Sequence, residues 1–173
     1  MIVVETVLRE IFTQLPQATI DSKQYPIRFS WGSQKDCNLH IASIKSTNKY
    51  PLIWLVQGIE EGDFANHKVE RNIRLLIAKN SQRPTSTNPP VWDSEFENVL
   101  NPLLKNVITA LTKSGVTTII GSTYKIERRA NYSETDDKKT YTIDNWNVIV
   151  FEAKVRFEEK ADGTPLCINT IRF

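Results

Sequence analysis

An α+β domain, with a mainly antiparallel sheet packed against an N-terminal helix and a long central helix, is the fold class this sequence predicts. Three observations predict it. Apolar residues recur at helical spacing in two places, near the N-terminus and across residues 94–113. The stretches between and after them read as strands, either alternating or apolar throughout. The order is helix, several strands, long helix, several strands. No strand–helix–strand alternation is sustained, which favours an antiparallel layer over a doubly wound sheet. At 173 residues the chain is large enough to bury its own core as a single domain, 1–173, without staples.

The first helix rests on Val4, Val7, Leu8, Ile11 and Leu15, with Glu5, Arg9 and Glu10 between them. Pro16 ends it. Ile20–Trp31 reads as an extended segment closed by Gly32-Ser33. Asp36–Ile44 fits a helix or a strand, and Lys45–Lys49 is a polar loop. Tyr50-Pro51-Leu52-Ile53-Trp54-Leu55-Val56 is a short apolar strand whose proline sits at its start, where a missing donor is tolerated. Gly58–Asn66 is an acidic turn region. In the strand Lys68–Ala78, Val69, Ile73, Leu75 and Ile77 share a face with Arg71, and Glu70, Asn72 and Arg74 share the other. Ser81–Pro90 holds three of the eight prolines and no apolar residue outside them, so a long polar loop is expected there.

The central helix starts near Ser94, where Ser94-x-x-Glu97 matches a capping box. Its stripe is Phe96, Val99, Leu100, Leu103, Leu104, Val107, Ile108 and Leu111. Pro102 interrupts the stripe, so either the helix kinks or Asn101 caps a second helix. Ser114-Gly115 stops it. Val116–Arg129 leads into a polar tip at Asn131–Thr140, and Tyr141–Phe157 leads out. Ala161-Asp162-Gly163 signals a tight turn, with Leu166–Phe173 a last strand hairpinned to the one before.

The stretch Trp146–Phe157 (WNVIVFEAKVRF) has two unlike faces. Ile149, Phe151, Ala153, Val155 and Phe157 form an apolar face from end to end. The other face carries Trp146, Val148 and Val150, then Glu152, Lys154 and Arg156. A half-buried strand has one wet face. Here the first half of the second face also needs cover, from a helix of the same chain or from a neighbouring subunit. Trp146, Val148 and Val150 are therefore a candidate subunit interface.

Composition bounds the functional classes. A net charge of +2 is too small to imply a nucleic-acid partner by bulk electrostatics. Cys37 and Cys167 alone make no disulfide framework, so a reducing compartment is the default. The N-terminus has no basic leader region and holds Glu5 within its apolar run, so no signal peptide is expected. No apolar run approaches the length of a membrane span. The chain reads as one made and used in the cytoplasm, or assembled there into something larger.

Catalytic signatures are weak. Glu152-Ala153-Lys154 after an apolar run resembles the E-x-K half of PD-(D/E)xK nucleases, where carboxylates hold Mg²⁺ and the lysine assists water attack. The upstream aspartate is missing: Asp144 is too near, and Asp136 and Asp137 lie in the polar loop. The favoured reading of Glu152 and Lys154 is the solvated face of an amphipathic strand. Cys37-x-x-His40 needs His67 and Cys167, which are scattered singly, to make a metal site. The six glycines are too dispersed for a phosphate-cradling loop. Neither a metal nor a cofactor is expected. Lys125, Arg128 and Arg129, with Tyr124 and Tyr132, form a basic–aromatic cluster that reads as a partner contact or as a charge-protected strand edge.

In their order along the chain, these elements resemble the tail terminator (tail completion) proteins of long-tailed bacteriophages. The resembling features are the N-terminal amphipathic helix, the Tyr50–Leu55 strand, the long helix Ser94–Lys113 and the closing Asp144–Phe157 strand. The resemblance is one of element order rather than of a catalytic motif, and head–tail connector and neck subunits are its near neighbours. It implies a non-enzymatic virion protein, assembled in the host cytoplasm. Such a subunit closes into a homo-oligomeric ring, typically a hexamer, that caps the tail tube and ends its growth. The tail tube protein and a head-completion or neck protein are the implied partners, with DNA only passing through the ring. Head-to-tail ring contacts need two different patches on each subunit.

Overall fold

The computed structural model of the chain describes residues 2–44, 49–58, 60–63, 68–80, 93–121, 123–132, 146–158 and 168–173. Helix α1 (Val4–Phe12) is followed by β1 (Ala18–Ile20), β2 (Lys23–Tyr25) and β3 (Arg28–Gly32). Then come α2 (Gln34–Ser43), β4 (Leu52–Val56), β5 (Glu60–Asp63) and β6 (Lys68–Asn80). A π-helical segment, Asp93–Leu100, runs directly into α3 (Asn101–Lys113). The chain continues through β7 (Thr117–Ile119), β8 (Lys125–Tyr132) and β9 (Trp146–Glu158). The fold is α+β, as expected, with a mixed and mostly antiparallel sheet.

The sheet is built on the β6–β9 ladder, which runs antiparallel from Lys68 opposite Glu158 to Asn80 opposite Trp146. On the far edge of β6, β4 pairs with Arg74–Ala78 and β5 with Lys68–Arg71, so the two short strands share one row. On the far edge of β9, β8 and β7 share a second row. β3 lies outside β4 and parallel to it, joined through α2. Parallel neighbours need a crossover of this kind.

Helices cover the sheet unequally. On one face, Val4, Val7, Leu8 and Ile11 of α1 and Leu103, Leu104, Val107 and Leu111 of α3 pack on Val69, Ile73, Leu75 and Ile77 of β6 and on Ile149, Phe151, Val155 and Phe157 of β9. Each such large apolar side chain contributes about 1.5–3 kcal/mol by leaving water. On the other face α2 covers only one half, where Cys37 and Ile41 join Leu52, Trp54, Leu76 and Ala78. Asp36–Ile44, open between helix and strand from its apolar pattern, is helical because Ser33 starts a helix. The Asp36 amide donates to the Ser33 hydroxyl at 3.2 Å and the Ser33 amide donates to the Asp36 carboxylate at 2.9 Å.

Several expectations are corrected. Ile20–Trp31 is not one extended segment. β1 and β2 form a hairpin whose turn, Asp21 (φ 49°) and Ser22 (φ 64°), is left-handed at both residues. Gly58–Asn66 is not turn alone but contains β5. Val116–Arg129 is not continuous, since β7 and β8 meet β9 in different registers. Asn101 does not cap a second helix: Leu100 before it is already helical (φ −75°, ψ −38°). Proline crowds the carbonyl four residues back and lacks an N–H, and the wider π winding that ends at Leu100 accommodates Pro102.

Residues 168–173 are not a strand, because both edges of β9 are already occupied. They cross the helix ends instead. The Ile171 amide donates to Gln14 Oε1 at 2.9 Å, and the Asn169 amide donates to the Ser114 carbonyl at 2.9 Å. The expected loop at 81–90, positions 133–140 of the polar tip, and the turn Ala161-Asp162-Gly163 lie outside the described residues, as does the side chain of Ser94 in the expected capping box.

Candidate functional site

Trp146, Val148 and Val150 are 2%, 0% and 1% exposed within the single chain. They pack in the cluster that α2 covers, beside Tyr50, Leu52, Trp54, Leu76 and Ala78. The apolar half-face is thus capped by the chain itself, and these three side chains offer no surface to a neighbouring subunit. The cap is α2, whose sequence alone fits a helix or a strand.

Beyond α2 no described helix covers the same face, and it is charged. Glu152 lies between Arg74 of β6, at 3.3 Å, and Lys125 of β8, at 3.9 Å. Glu70 is shared by Lys154 at 3.0 Å and Arg156 at 2.6 Å. Glu127 is shared by Lys125 and Arg129, each at 2.5 Å. The Lys125 ammonium, followed by the Arg129 guanidinium, holds the Glu127 carboxyl down to about 2. Lys154, followed by Arg156, lowers that of Glu70, and Glu127 chiefly raises the Lys125 ammonium.

Glu152 and Lys154 therefore share a face, as a nuclease half-motif requires, but the neighbours of Glu152 are cations. Among the described residues no three carboxylate, histidine or cysteine side chains gather where a metal ion could be held. Cys37 is buried, and His40 packs against the Trp54 ring at 5.5 Å. His67 and Cys167 lie outside the described residues.

The structure splits the Lys125, Arg128, Arg129 and Tyr132 cluster. All four lie on β8, the last row of the sheet. Arg128 bonds to Asn101 Oδ1 at 3.0 Å, on the side of the long helix. Lys125 and Arg129 point to the α2 side through Glu127. Tyr132 is buried in the α2 cluster with Arg129 over its ring at 5.4 Å. Arg129 covers the tyrosine, and the charges lie along a strand edge that no described strand pairs.

The opposite edge, β3, differs in chemistry. Phe29 packs edge-on to Phe12 at 5.2 Å and lies 5.9 Å from Trp31. Trp31 is 37% exposed, with the Arg9 guanidinium 5.7 Å from its ring centre. Sequence reasoning placed Trp31 at the end of a strand but missed that this strand is an edge. Only pairing order supplies that fact. The ion pair of buried Arg71 with half-buried Glu5 escaped it for the same reason, although Arg71 among apolar neighbours was a visible signal.

No family model matches the chain, and no curated protein matches its sequence. No described helix is long and apolar enough to cross a membrane.

Proposed function

We propose that this protein is a non-enzymatic, ring-forming subunit of the tail end or neck of a long-tailed bacteriophage, acting as a tail terminator. Its ring, a hexamer in this reading, closes over the tail tube, hides the surface on which the next tube subunit would add, and presents the joining surface for the head. The tail tube protein and a head-completion or neck protein are its partners. The subunit is assembled in the host cytoplasm and works in the virion.

One observation carries the reading: among the described strands the sheet ends in two unlike edges. β3 presents Trp31, backed by the core-packed Phe29, and β8 presents Lys125, Glu127 and Arg129. A closed head-to-tail ring needs two patches of this kind on each subunit. The order of helices and strands, similar to that of tail terminators, supports the same reading. The nuclease alternative, using Glu152 and Lys154, is the weaker one, because Arg74 and Lys125 occupy the place beside Glu152 that a metal ion would need.

The test is light scattering on the purified protein, alone and with tail tubes, followed by electron microscopy of the tube ends. Rings on tube ends, weakened by Trp31→Asp, are expected. Protein that stays monomeric at every concentration and never binds a tube end would overturn the proposal. Incubation with plasmid and Mg²⁺ or Mn²⁺ tests the alternative, for which cleavage abolished by Glu152→Ala is the positive result.

A further inference from the structure

The backbone groups that point out of the sheet at its two ends can be assigned residue by residue. On β3 the Arg28 amide donates to the Pro51 carbonyl at 3.0 Å, and the Gly32 carbonyl accepts from the Gln57 amide at 2.9 Å. Bonding direction alternates along a strand, so Arg28, Ser30 and Gly32 bond to β4, and the amides and carbonyls of Phe29 and Trp31 point outward. On β9 the Lys154 carbonyl accepts from the Ile120 amide at 2.8 Å, and the Glu158 amide donates to the Val116 carbonyl at 3.1 Å. Its even-numbered residues therefore serve the β7–β8 row. Lys125 and Glu127, opposite Glu152 and Val150, bond inward, and Ile126 and Arg128 point outward. Neither outward set has a backbone partner among the described residues. An open edge of this kind is a template for another strand.

Strand polarity makes the two edges complementary. β3 runs parallel to β4, β4 antiparallel to β6, β6 antiparallel to β9 and β9 antiparallel to β8. β3 and β8 therefore point in opposite directions. A second copy placed head-to-tail in the same orientation lays its β3 antiparallel to β8 and keeps both main helix layers on one side. The side chains agree. Phe29 and Trp31 stand on the α1 side, against Phe12 and Arg9. Ile126 packs on the same core, and Tyr124, two residues earlier, lies against Phe151 of that core at 5.5 Å. Trp31 and Tyr124 are 37% and 44% exposed.

We propose that copies of this chain join by strand addition, β3 of one pairing antiparallel with the β8 edge of the next and Trp31 opposite Tyr124. This pairing rests on the ring assembly proposed above and makes its contact a sheet continuous from subunit to subunit. The outward groups allow three registers. Trp31 opposite Ile126 sets Arg28 against Arg129, a like-charge pair that disfavours it. Trp31 opposite Arg128 leaves the exposed Tyr124 ring beyond the end of β3. Trp31 opposite Tyr124 brings the two exposed rings together, sets Phe29 against Ile126 and sets Arg28 against Glu127. Aromatic, aromatic–β-branched and opposite-charge neighbours are the cross-strand pairs that stabilise a sheet.

The experiment is disulfide trapping between full-length chains, with and without tail tubes, in a Cys167→Ser background that keeps the buried Cys37. Bonded pairs in an antiparallel ladder have Cα atoms about 5.5 Å apart, within the span a disulfide bridges. Trp31→Cys protein mixed with Tyr124→Cys protein is expected to cross-link about tenfold faster than with Arg128→Cys protein, whose cysteine lies about 13 Å further along the strand. In the parent chain, amide hydrogen exchange at Phe29, Trp31 and Ile126 is expected to slow on assembly, a readout free of any substitution. Trp31→Cys linking chiefly to itself, faster linking to Arg128→Cys, or unchanged exchange at these amides in assembled protein would each overturn the pairing. Rings that form on tube ends without this cross-link refute the strand contact and leave the ring reading standing. Protein that never self-associates refutes both.

Discussion

Arg71 of β6 donates from Nη1 to the Glu5 carboxylate of α1 at 2.7 Å, with the arginine side chain 1% exposed between Val69 and Ile73 on the core face of the sheet. The pair ties the first helix to the central strand. Removing Glu5 takes a counter-charge from an arginine held in a low-dielectric site. Glu5→Ala, which takes a partner from the buried Arg71, is expected to cost about 3 kcal/mol, read as a lower urea midpoint, and Arg71→Ala less, because the Glu5 side chain is 18% exposed. Replacing both by Leu should recover most of the loss, since a buried pair and an apolar replacement are often equivalent.

Trp146→Ala measures whether the second face of β9 is core. Truncating a buried Trp costs about 3–5 kcal/mol, so the monomer should be strongly destabilised. Trp31→Ala, at the partly exposed edge, should cost about 1 kcal/mol or less and act on assembly instead. If the urea midpoint of Trp146→Ala matched that of the parent chain, α2 would not be the cover.

The β1–β2 turn carries a correctable cost. Ser22 has φ 64°, a region that disfavours residues with a Cβ. Glycine adopts it freely and is the preferred second residue of such turns. Ser22→Gly is expected to raise stability by about 0.5 kcal/mol, measured by thermal melting. Gly115→Ala should do the opposite. Gly115 has φ 75° and ends α3, and an added Cβ would meet the Asn169 side chain. A loss of about 1–2 kcal/mol follows from strain alone.

The open face sets an acid-dependent signature. Glu127 has a folded-state carboxyl near 2 against an ordinary 4.5. A carboxyl depressed by folding stabilises the fold above its unfolded value and loses that contribution as pH falls toward its folded value. The contribution is therefore complete above pH 4.5 and declines between 4.5 and about 2. Carboxyl NMR titration should place Glu127 far below its ordinary midpoint. Lys125→Ala, which removes the first cause, should move it back up. An ordinary midpoint in the parent chain would show that the Lys125 and Arg129 contacts do not persist in solution.

The sequence by itself determined the fold class, the N-terminal and central amphipathic helices, the strands that became β4, β6 and β9, and the side of β6 and β9 that faces the main core. Those features are written in local periodicity, which apolar burial enforces residue by residue. It also showed that Trp146, Val148 and Val150 need cover and that Glu152 and Lys154 share a face. The tertiary structure alone decided the rest. It made α2 the cover through a two-residue capping contact at Ser33 and Asp36. Among the described strands it put β3 and β8 at the edges, set Arg71 on Glu5, and denied residues 168–173 a strand because β9 had no free edge. These outcomes depend on which strands pair and in what register. Pairing joins residues far apart in the chain, and no local period records that choice.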